Sequence, residues 1–253
     1  MTTETAGPVE VSDNGPTSTG SRTTRVLGIV TLVSLAALVL FGLVLSPADA
    51  NQGDAVRIMY VHVPSATLSY VGCFLTAIGS AVYLWRRSQW WELVAYAGAE
   101  VAALFTALTL VTGMLWGRPT WGVFWVWDAR LTSEAMLMLL LLGYLAVRRL
   151  AADYEVRAKR AAIVGLLLVP NVILVRQSVQ WWRTLHQKPT LSVTNAQIEG
   201  LMLFSLFIGF VAIALVFVWL VIHRFRVAWL EEQLDAEGLD TAIAERRAEG
   251  VGS

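Results

Sequence analysis

Cysteine is almost absent from this sequence of 253 residues, which contains only Cys73. A single cysteine excludes an intramolecular disulfide and a Cys-x-x-Cys redox pair. Charged residues are also scarce, at 15% of the chain, and the 19 basic side chains balance the 19 acidic ones. The chain therefore lacks the basic surface that is typical of nucleic-acid-binding proteins, and we expect no nucleic-acid partner.

Hydrophobic residues, in contrast, make up 56% of the sequence, which is too much for an ordinary soluble domain. A helix needs about 20 mostly apolar residues to cross a bilayer. Runs of this kind predict six spans, at residues 25–46, 64–85, 93–116, 132–150, 161–178 and 198–222. We therefore predict an all-α polytopic membrane protein with a six-helix membrane domain over residues 25–226. Because the spans leave no room for a soluble catalytic domain, we expect a binding protein and not an enzyme.

The two ends of the chain differ from this apolar middle. Residues 1–24 are rich in Ser, Thr, Gly and Pro and predict a disordered tail. Residues 227–253 alternate acidic, basic and apolar positions, which predicts a solvated helical tail. Ala48-Asp49-Ala50 imitates a signal-peptidase site, but the apolar run before it exceeds the roughly 7–15 residues of a signal sequence. We therefore predict an uncleaved first helix.

The distribution of Lys and Arg predicts the orientation, because cytoplasmic loops are enriched in these residues. One set of loops and termini carries eleven of them: Arg22, Arg25, Arg86, Arg87, Arg148, Arg149, Arg157, Lys159, Arg160, Arg224 and Arg226. The opposite loops carry Arg57, Arg118, Arg130, Arg183 and Lys188. We therefore predict a multi-pass protein of the inner (cytoplasmic) membrane with both termini in the cytoplasm. The loops at residues 47–63, 117–131 and 179–197 then face outward.

These outward loops contain most of the unusual residues. His62 lies in the first loop and His186 in the third, while the middle one holds Trp116, Trp121, Trp125 and Trp127, followed by Asp128. The interleaved glycines and proline at 117, 119 and 122 predict an irregular segment and not a helix. Tryptophan faces stack on large conjugated molecules, and a neutral imidazole binds haem iron through one ring nitrogen. The pattern therefore predicts a planar, iron-bearing ligand.

Other interpretations apply to the same residues. Tryptophans at membrane boundaries commonly form an interfacial belt, which accounts for Trp85, Trp90, Trp91, Trp219 and Trp229. A single histidine near a boundary is also commonly interfacial, as we expect for His223. Two histidines alone supply few ligands for a copper or zinc site. If the ligand is haem, its carboxylates need cationic partners, and the candidates in these loops are Arg118, Arg130, Arg183 and Lys188.

Two carboxylates lie within predicted spans, Glu100 in the third and Glu134 near the start of the fourth. Intramembrane carboxylates are costly and commonly functional. They suggest an alternative, a proton- or ion-coupled small-molecule transporter. The sequence lacks the Gly/Pro-interrupted repeat halves that support such a transporter, so the ligand-binding interpretation is favoured.

Residues 52–64, 116–133 and 178–187 resemble the haem exporter protein C family (CcmC) of cytochrome c maturation. They cover all three outward loops in the family's order, and the tryptophan-rich WWD signature in 116–133 is the specific part. The resemblance implies that His62 and His186 are the axial ligands of a transiently and non-covalently bound haem b. It also implies that the WWD segment is the haem platform, with Asp128 as a structural or partner-contacting member.

The resemblance implies partners and a process as well. Members of the family present haem at the outer membrane face to the haem chaperone CcmE. They work with the small protein CcmD and with the ABC transporter subunits CcmA and CcmB. We therefore expect a haem-binding and haem-delivery protein that acts in haem export for cytochrome c biogenesis.

Overall fold

The computed structural model describes residues 15–150, 153–186, 191–192, 195–196, 198 and 200–251. Within this part of the chain, six helices are long and apolar enough to cross a membrane, as predicted. The only strands found there are a two-residue antiparallel pair, Leu191–Ser192 with Asn195–Ala196. The all-α prediction is therefore confirmed. Most of the predicted N-terminal tail lies outside the described residues.

The described residues form seven α-helices, and two of them share one span. Their bounds are α1 Arg22–Leu38, α2 Met59–Arg86, α3 Gln89–Trp121, α4 Ala129–Arg149, α5 Tyr154–Leu166, α6 Leu168–Trp181 and α7 Gly200–Val251. A π-helical segment, Val39–Leu45, continues α1, and a 3-10 helix, Asp54–Ile58, leads into α2. Helices α5 and α6 together form the span Tyr154–Trp181.

Helices α2 and α3 pack closely because small residues line their interface. A Cβ added to Gly72 would lie 2.8 Å from the Ala102 Cβ, and one added to Gly79 would lie 2.8 Å from the Trp91 carbonyl oxygen. Helices in lipid associate through such close backbone approach, since the bilayer offers no hydrophobic driving force between them. The α2–α3 pair therefore forms the centre of the bundle.

Helix α2 begins earlier than the sequence predicted, and it includes His62 and Pro64. The prediction that His62 lies in a loop and that Pro64 starts the helix was wrong. Pro64 has no N–H for the Tyr60 carbonyl, yet the helix continues, and α7 packs directly on this carbonyl. A Cβ on Gly209 of α7 would overlap the Tyr60 oxygen. Tertiary packing therefore places His62 inside the bundle.

Helix α3 also extends beyond its predicted end and continues through Trp121. The irregular segment predicted from Gly117, Pro119 and Gly122 therefore begins only at Gly122, which has a positive φ of 79°. Before that point α3 stays helical, and Trp121 packs over Gly117 one turn earlier. A Cβ on Gly117 would lie 3.1 Å from the Trp121 ring.

Helix α7 runs without a break past residue 226, and its first turn beyond this point is packed on the bundle instead of solvated as predicted, whereas Glu231, Leu234 and Asp235 are exposed. Trp229 is 2% exposed and its ring lies 5.8 Å from that of Trp90, so an interfacial belt does not describe it. Glu232 accepts a hydrogen bond from Arg148 at 3.1 Å and another from Arg157. These contacts dock the start of the C-terminal extension on the bundle.

Arg148 is the centre of this buried charge network. Its Nε and Nη2 atoms bind the two oxygens of Glu92 at 2.7 and 3.2 Å, and its guanidinium lies 3.7 Å from the Tyr96 ring centre. Arg148 thereby connects the start of α3, the end of α4 and the extension of α7. Bidentate charge-assisted bonds of this kind are among the strong ones.

We expect Arg148→Met to destabilise the protein by about 3–5 kcal/mol, because Glu92 would be left as a buried, uncompensated charge. Thermal unfolding in detergent measures the change. Arg149→Met is the matched control, since Arg149 is an exposed neighbour and should change stability little. The double variant Glu92→Gln/Arg148→Met should recover part of the loss. Equal destabilisation by the two arginine variants would contradict the network's importance.

Candidate functional site

His62 lies in the first turn of α2 and faces α3. Its Nδ1 atom is 3.0 Å from the Thr112 hydroxyl oxygen, and that hydroxyl donates to the Leu108 carbonyl at 2.6 Å. Because the hydroxyl hydrogen is used there, the oxygen accepts from the N–H at Nδ1 of His62. This tautomer leaves the lone pair of His62 on Nε2, available to a ligand.

A glycine and a tryptophan fix the space around His62. A Cβ added to Gly113 would lie 3.0 Å from Cε1 of His62, so only glycine lets the ring approach α3 this closely. The Trp116 ring lies 5.6 Å from the imidazole, at 74°. Its Nε1 donates to the Gln52 side-chain oxygen at 2.8 Å. Helix α3 therefore positions both His62 and one wall beside it.

His186 lies after the end of α6, beside the end of α3. The Trp121 ring is 4.8 Å from its imidazole, at 64°. Its Nδ1 lies 3.8 Å from Oδ2 of Asp128, which is too far for a hydrogen bond, and this buried nitrogen has no hydrogen-bond partner among the described residues. Burial, together with the positive charge of Arg130, lowers the pKa of His186 to about 4 against the opposing effect of Asp128. The imidazole is therefore neutral at pH 7.

Asp128 connects two parts of the site. Its Oδ1 atom accepts from the Leu131 backbone N–H at 2.8 Å, which makes Asp128 the N-cap of α4. Its Oδ2 atom accepts from the Leu185 backbone N–H at 3.2 Å. The same carboxylate thus begins α4 and holds the segment that carries His186.

His62 and His186, which are far apart in sequence, line one cavity of about 20 Å³. Arg130 and Glu134 of α4 line it as well. Arg130 donates to the Val175 carbonyl at 3.0 Å and to the Tyr70 hydroxyl at 3.2 Å. The cavity therefore gathers two neutral imidazoles, a guanidinium and a carboxylate from α2, α4 and the segment after α6.

The remaining predicted site residues lie outside this cavity. Trp125 and Trp127 pack on each other with ring centres 5.4 Å apart, and Trp127 is 81% exposed. Arg118 is exposed, donates to the Gly122 carbonyl and lies over the Phe124 ring at 5.6 Å. Arg183 is exposed, and Lys188 lies outside the described residues. The structure thus separates interior Arg130 from surface Arg118 and Arg183.

Several site residues were not identified from the sequence. They are Gln52, Tyr70, Thr109, Thr112 and Gly113. One signal was available, because Thr109, Thr112, Gly113 and Trp116 have the 0, 3, 4, 7 spacing of one helix face. This spacing becomes meaningful only when α2 is known to lie opposite α3.

The two intramembrane carboxylates that suggest a transporter differ in their surroundings. Glu100 is paired with Arg224 of α7 at 2.6 Å, whereas Glu134 lines the cavity of the two histidines. Within the described chain, no group of three or more His, Cys, Asp or Glu side chains is arranged to hold a metal ion.

Comparison with known proteins supplies the family. The model of the family described as Heme exporter protein C matches residues 14–239. A heme exporter protein C of Haemophilus influenzae is 39% identical over 204 residues, covering 80% of this chain and 83% of the relative. That of Bradyrhizobium diazoefficiens is 39% identical over 189 residues, covering 74% and 72%.

A ccmC-like mitochondrial protein of Marchantia polymorpha, whose name refers to cytochrome c biosynthesis, is 41% identical over 165 residues. The match covers 65% of this chain and 70% of that relative. Residues 14–239, which the family model matches, cover most of the chain and include every residue that lines the histidine cavity. The chain therefore belongs to the haem exporter protein C family, which handles haem in cytochrome c maturation.

Proposed function

We propose that the protein binds haem b without a covalent bond, through His62 and His186, and passes it on during cytochrome c maturation. The main support for this proposal is that both histidines line the same cavity. They come from elements far apart in the chain, and both are histidines of the segments that resemble the family. Haem is the cargo of the site and not a resident cofactor.

The surroundings of the two imidazoles support axial ligation. A histidine that binds a metal through one nitrogen is commonly oriented by an acceptor at the other. The Thr112 oxygen lies 3.0 Å from Nδ1 of His62, and the Asp128 carboxylate lies 3.8 Å from Nδ1 of His186. Both rings can thus offer Nε2 to iron. With two histidine ligands the iron keeps no open position for oxygen chemistry, so the protein delivers haem without catalytic turnover.

The size of the cavity bears on how haem is held. A volume of about 20 Å³ is enough for a water molecule and too small for a porphyrin. Haem therefore lies mainly at the open side of the cavity, against Trp116, Trp121, Trp125 and Trp127. Loading then requires the segment with His186 to shift outward. A hydrogen bond from its Leu185 N–H to Asp128 holds that segment.

The arginines divide into two groups in this proposal. Arg118 and Arg183 are exposed and meet the two haem carboxylates at the water boundary, where charge-assisted bonds form. Arg130 is held by Tyr70 and the Val175 carbonyl and faces the iron side of the cavity. Asp128 acts as a structural residue that orients His186.

The bias of Lys and Arg supports an inner-membrane protein whose histidine site faces outward. In this orientation the exposed aromatic residues, including Trp127 and Trp182, are accessible to a soluble haem acceptor. We propose that this acceptor is the chaperone CcmE, and that CcmD, CcmA and CcmB are the other partners. A coupled-transport role is less well supported because Glu100 already forms an ion pair with Arg224.

We expect purified protein in detergent to show the visible spectrum of low-spin, bis-histidine haem. His62→Ala and His186→Ala should each lose this spectrum and bind haem at least about tenfold more weakly, since loss of a ligand exceeds loss of a residue that orients one. His223→Ala is the matched control, because His223 packs on Trp219 of α7 away from the cavity. An unchanged spectrum in either of the first two variants would refute the ligand assignment.

We expect Gly113→Ala to lower haem affinity by about tenfold, the effect of displacing a residue that positions a metal ligand. The new methyl group would lie 3.0 Å from Cε1 of His62 and must push the ring away from Thr112. Gly143→Ala on α4 is the matched control, because nothing lies within 4 Å of its added Cβ. Haem titration of both proteins measures the difference. Equal affinities would mean that the close approach of His62 to Gly113 does not contribute to haem binding.

We expect a cysteine placed at Arg183 to react with a membrane-impermeant maleimide in intact cells, and one placed at Arg87 to react only after lysis. The positive-inside rule is the reason. Both positions are exposed, and a Cys73→Ser background removes the only native thiol. The reverse labelling pattern would place the histidine site on the cytoplasmic side and remove the proposed delivery to an outer acceptor.

A further inference from the structure

Glu134 is a buried carboxylate whose hydrogen bonding is incomplete. It lies on α4, is 4% exposed and lines the cavity of the two histidines. Its Oε2 atom accepts from the Tyr70 hydroxyl at 2.9 Å. Its Oε1 atom is buried and has no partner among the described residues. One oxygen of this cavity-lining carboxylate is therefore left without a hydrogen bond.

The nearest cation does not neutralise this carboxylate directly. Arg130 lies one turn before Glu134 and lines the same cavity, but it donates to the Tyr70 hydroxyl and the Val175 carbonyl. No ion pair joins Arg130 to Glu134 within the described side chains. Glu92 and Glu100, in contrast, each bind an arginine directly. Among these three intramembrane carboxylates, Glu134 is the one that faces the site.

An unsatisfied buried carboxylate costs stability, and a ligand that brings positive charge would offset the cost. Ferric iron in a porphyrin dianion with two neutral imidazoles has a charge of +1 at its core, whereas the ferrous form is neutral there. A carboxylate near the axial ligands attracts the first form and not the second, and the interaction is strong in a low-dielectric interior.

We propose that Glu134 is the charge partner of the bound haem and stabilises its ferric form relative to its ferrous form. The role rests on the proposed haem site and adds to it, since Glu134 would neither ligate the iron nor meet the haem carboxylates. Tyr70 donates to one carboxylate oxygen and leaves the other buried oxygen without a hydrogen bond. Glu134 thereby favours the ferric state, and the positive charge of Arg130 on the same cavity acts in the opposite direction.

Redox titration of the haem-loaded protein tests this proposal. Glu134→Gln keeps the size and the hydrogen bond from Tyr70 but removes the charge. We expect its midpoint potential to rise, with at least a tenfold change in the ferric-to-ferrous ratio at fixed applied potential, equivalent to about 59 mV for one electron. Glu100→Gln is the matched control and should leave the potential unchanged. Glu134→Asp, which retains a charge, should shift it less than Glu134→Gln.

A second measurement needs no haem. If Glu134 is a charged residue that interacts with a bound ligand, its charge lowers the stability of the empty protein. Glu134→Gln should then raise the melting temperature of the haem-free form. Glu100→Gln should lower it, because Arg224 loses its partner. Haem should then stabilise the native protein more than the Glu134→Gln variant.

The outcomes separate the two proposals. A native protein that never binds haem overturns the proposed function. A Glu134→Gln variant that binds haem with the native spectrum and an unchanged potential overturns the role of Glu134 alone. An equal rise in potential for Glu100→Gln also overturns it, because the effect would then be general to intramembrane carboxylates. If Glu134→Gln loses haem, the melting temperature of its empty form and the potential of Glu134→Asp decide the question.

Discussion

The close approach of α2 and α3 is the constraint on which the site depends. Gly72 and Gly79 bring the two backbones together, and dispersion contacts at this distance replace the hydrophobic driving force that lipid does not supply. The same interface continues to the end of the pair, where His62 meets Thr112 and Gly113. With a wider separation, Nδ1 of His62 would lose its acceptor and the ring would lose its orientation. The geometry of the imidazole is therefore a consequence of helix packing along the whole pair.

The buried charges divide between two tasks at opposite ends of the bundle. Glu92, Arg148 and Glu232 form a satisfied network that joins three helices, so their charges hold the bundle together. At the other end Glu134 keeps an unpaired oxygen and His186 an unpaired nitrogen. Buried polar atoms are normally hydrogen-bonded, and exceptions beside a shared cavity have a natural explanation in a ligand. The contrast supports the proposed role of Glu134 and His186 in holding a ligand.

The six spans could be predicted from the sequence because apolar length is a local property. Their ends were predicted less well, because proline disfavours the interior of a helix without forbidding it. Pro64 and Pro119 both suggested helix boundaries, yet both lie inside helices. Trp229 suggested a membrane belt, but it is buried and packs on Trp90, a neighbour distant in sequence that no local pattern reveals.

The candidate site also combines features that the sequence predicts with features that only the fold reveals. The segments that resemble the family predicted His62, His186 and the tryptophans as site residues. The structure shows which side chains position the two histidines. Thr112 and Gly113 are ordinary residues of an apolar run until α2 lies opposite them. Asp128 is the most informative case. Its carboxylate caps α4, holds the Leu185 N–H and lies near Nδ1 of His186. An asparagine could still cap the helix, but it would lack the negative charge that favours an N–H at this nitrogen. Aspartate thus connects the start of α4 to the segment and ring of His186, which makes the last residue of the tryptophan motif a determinant of the orientation of this histidine.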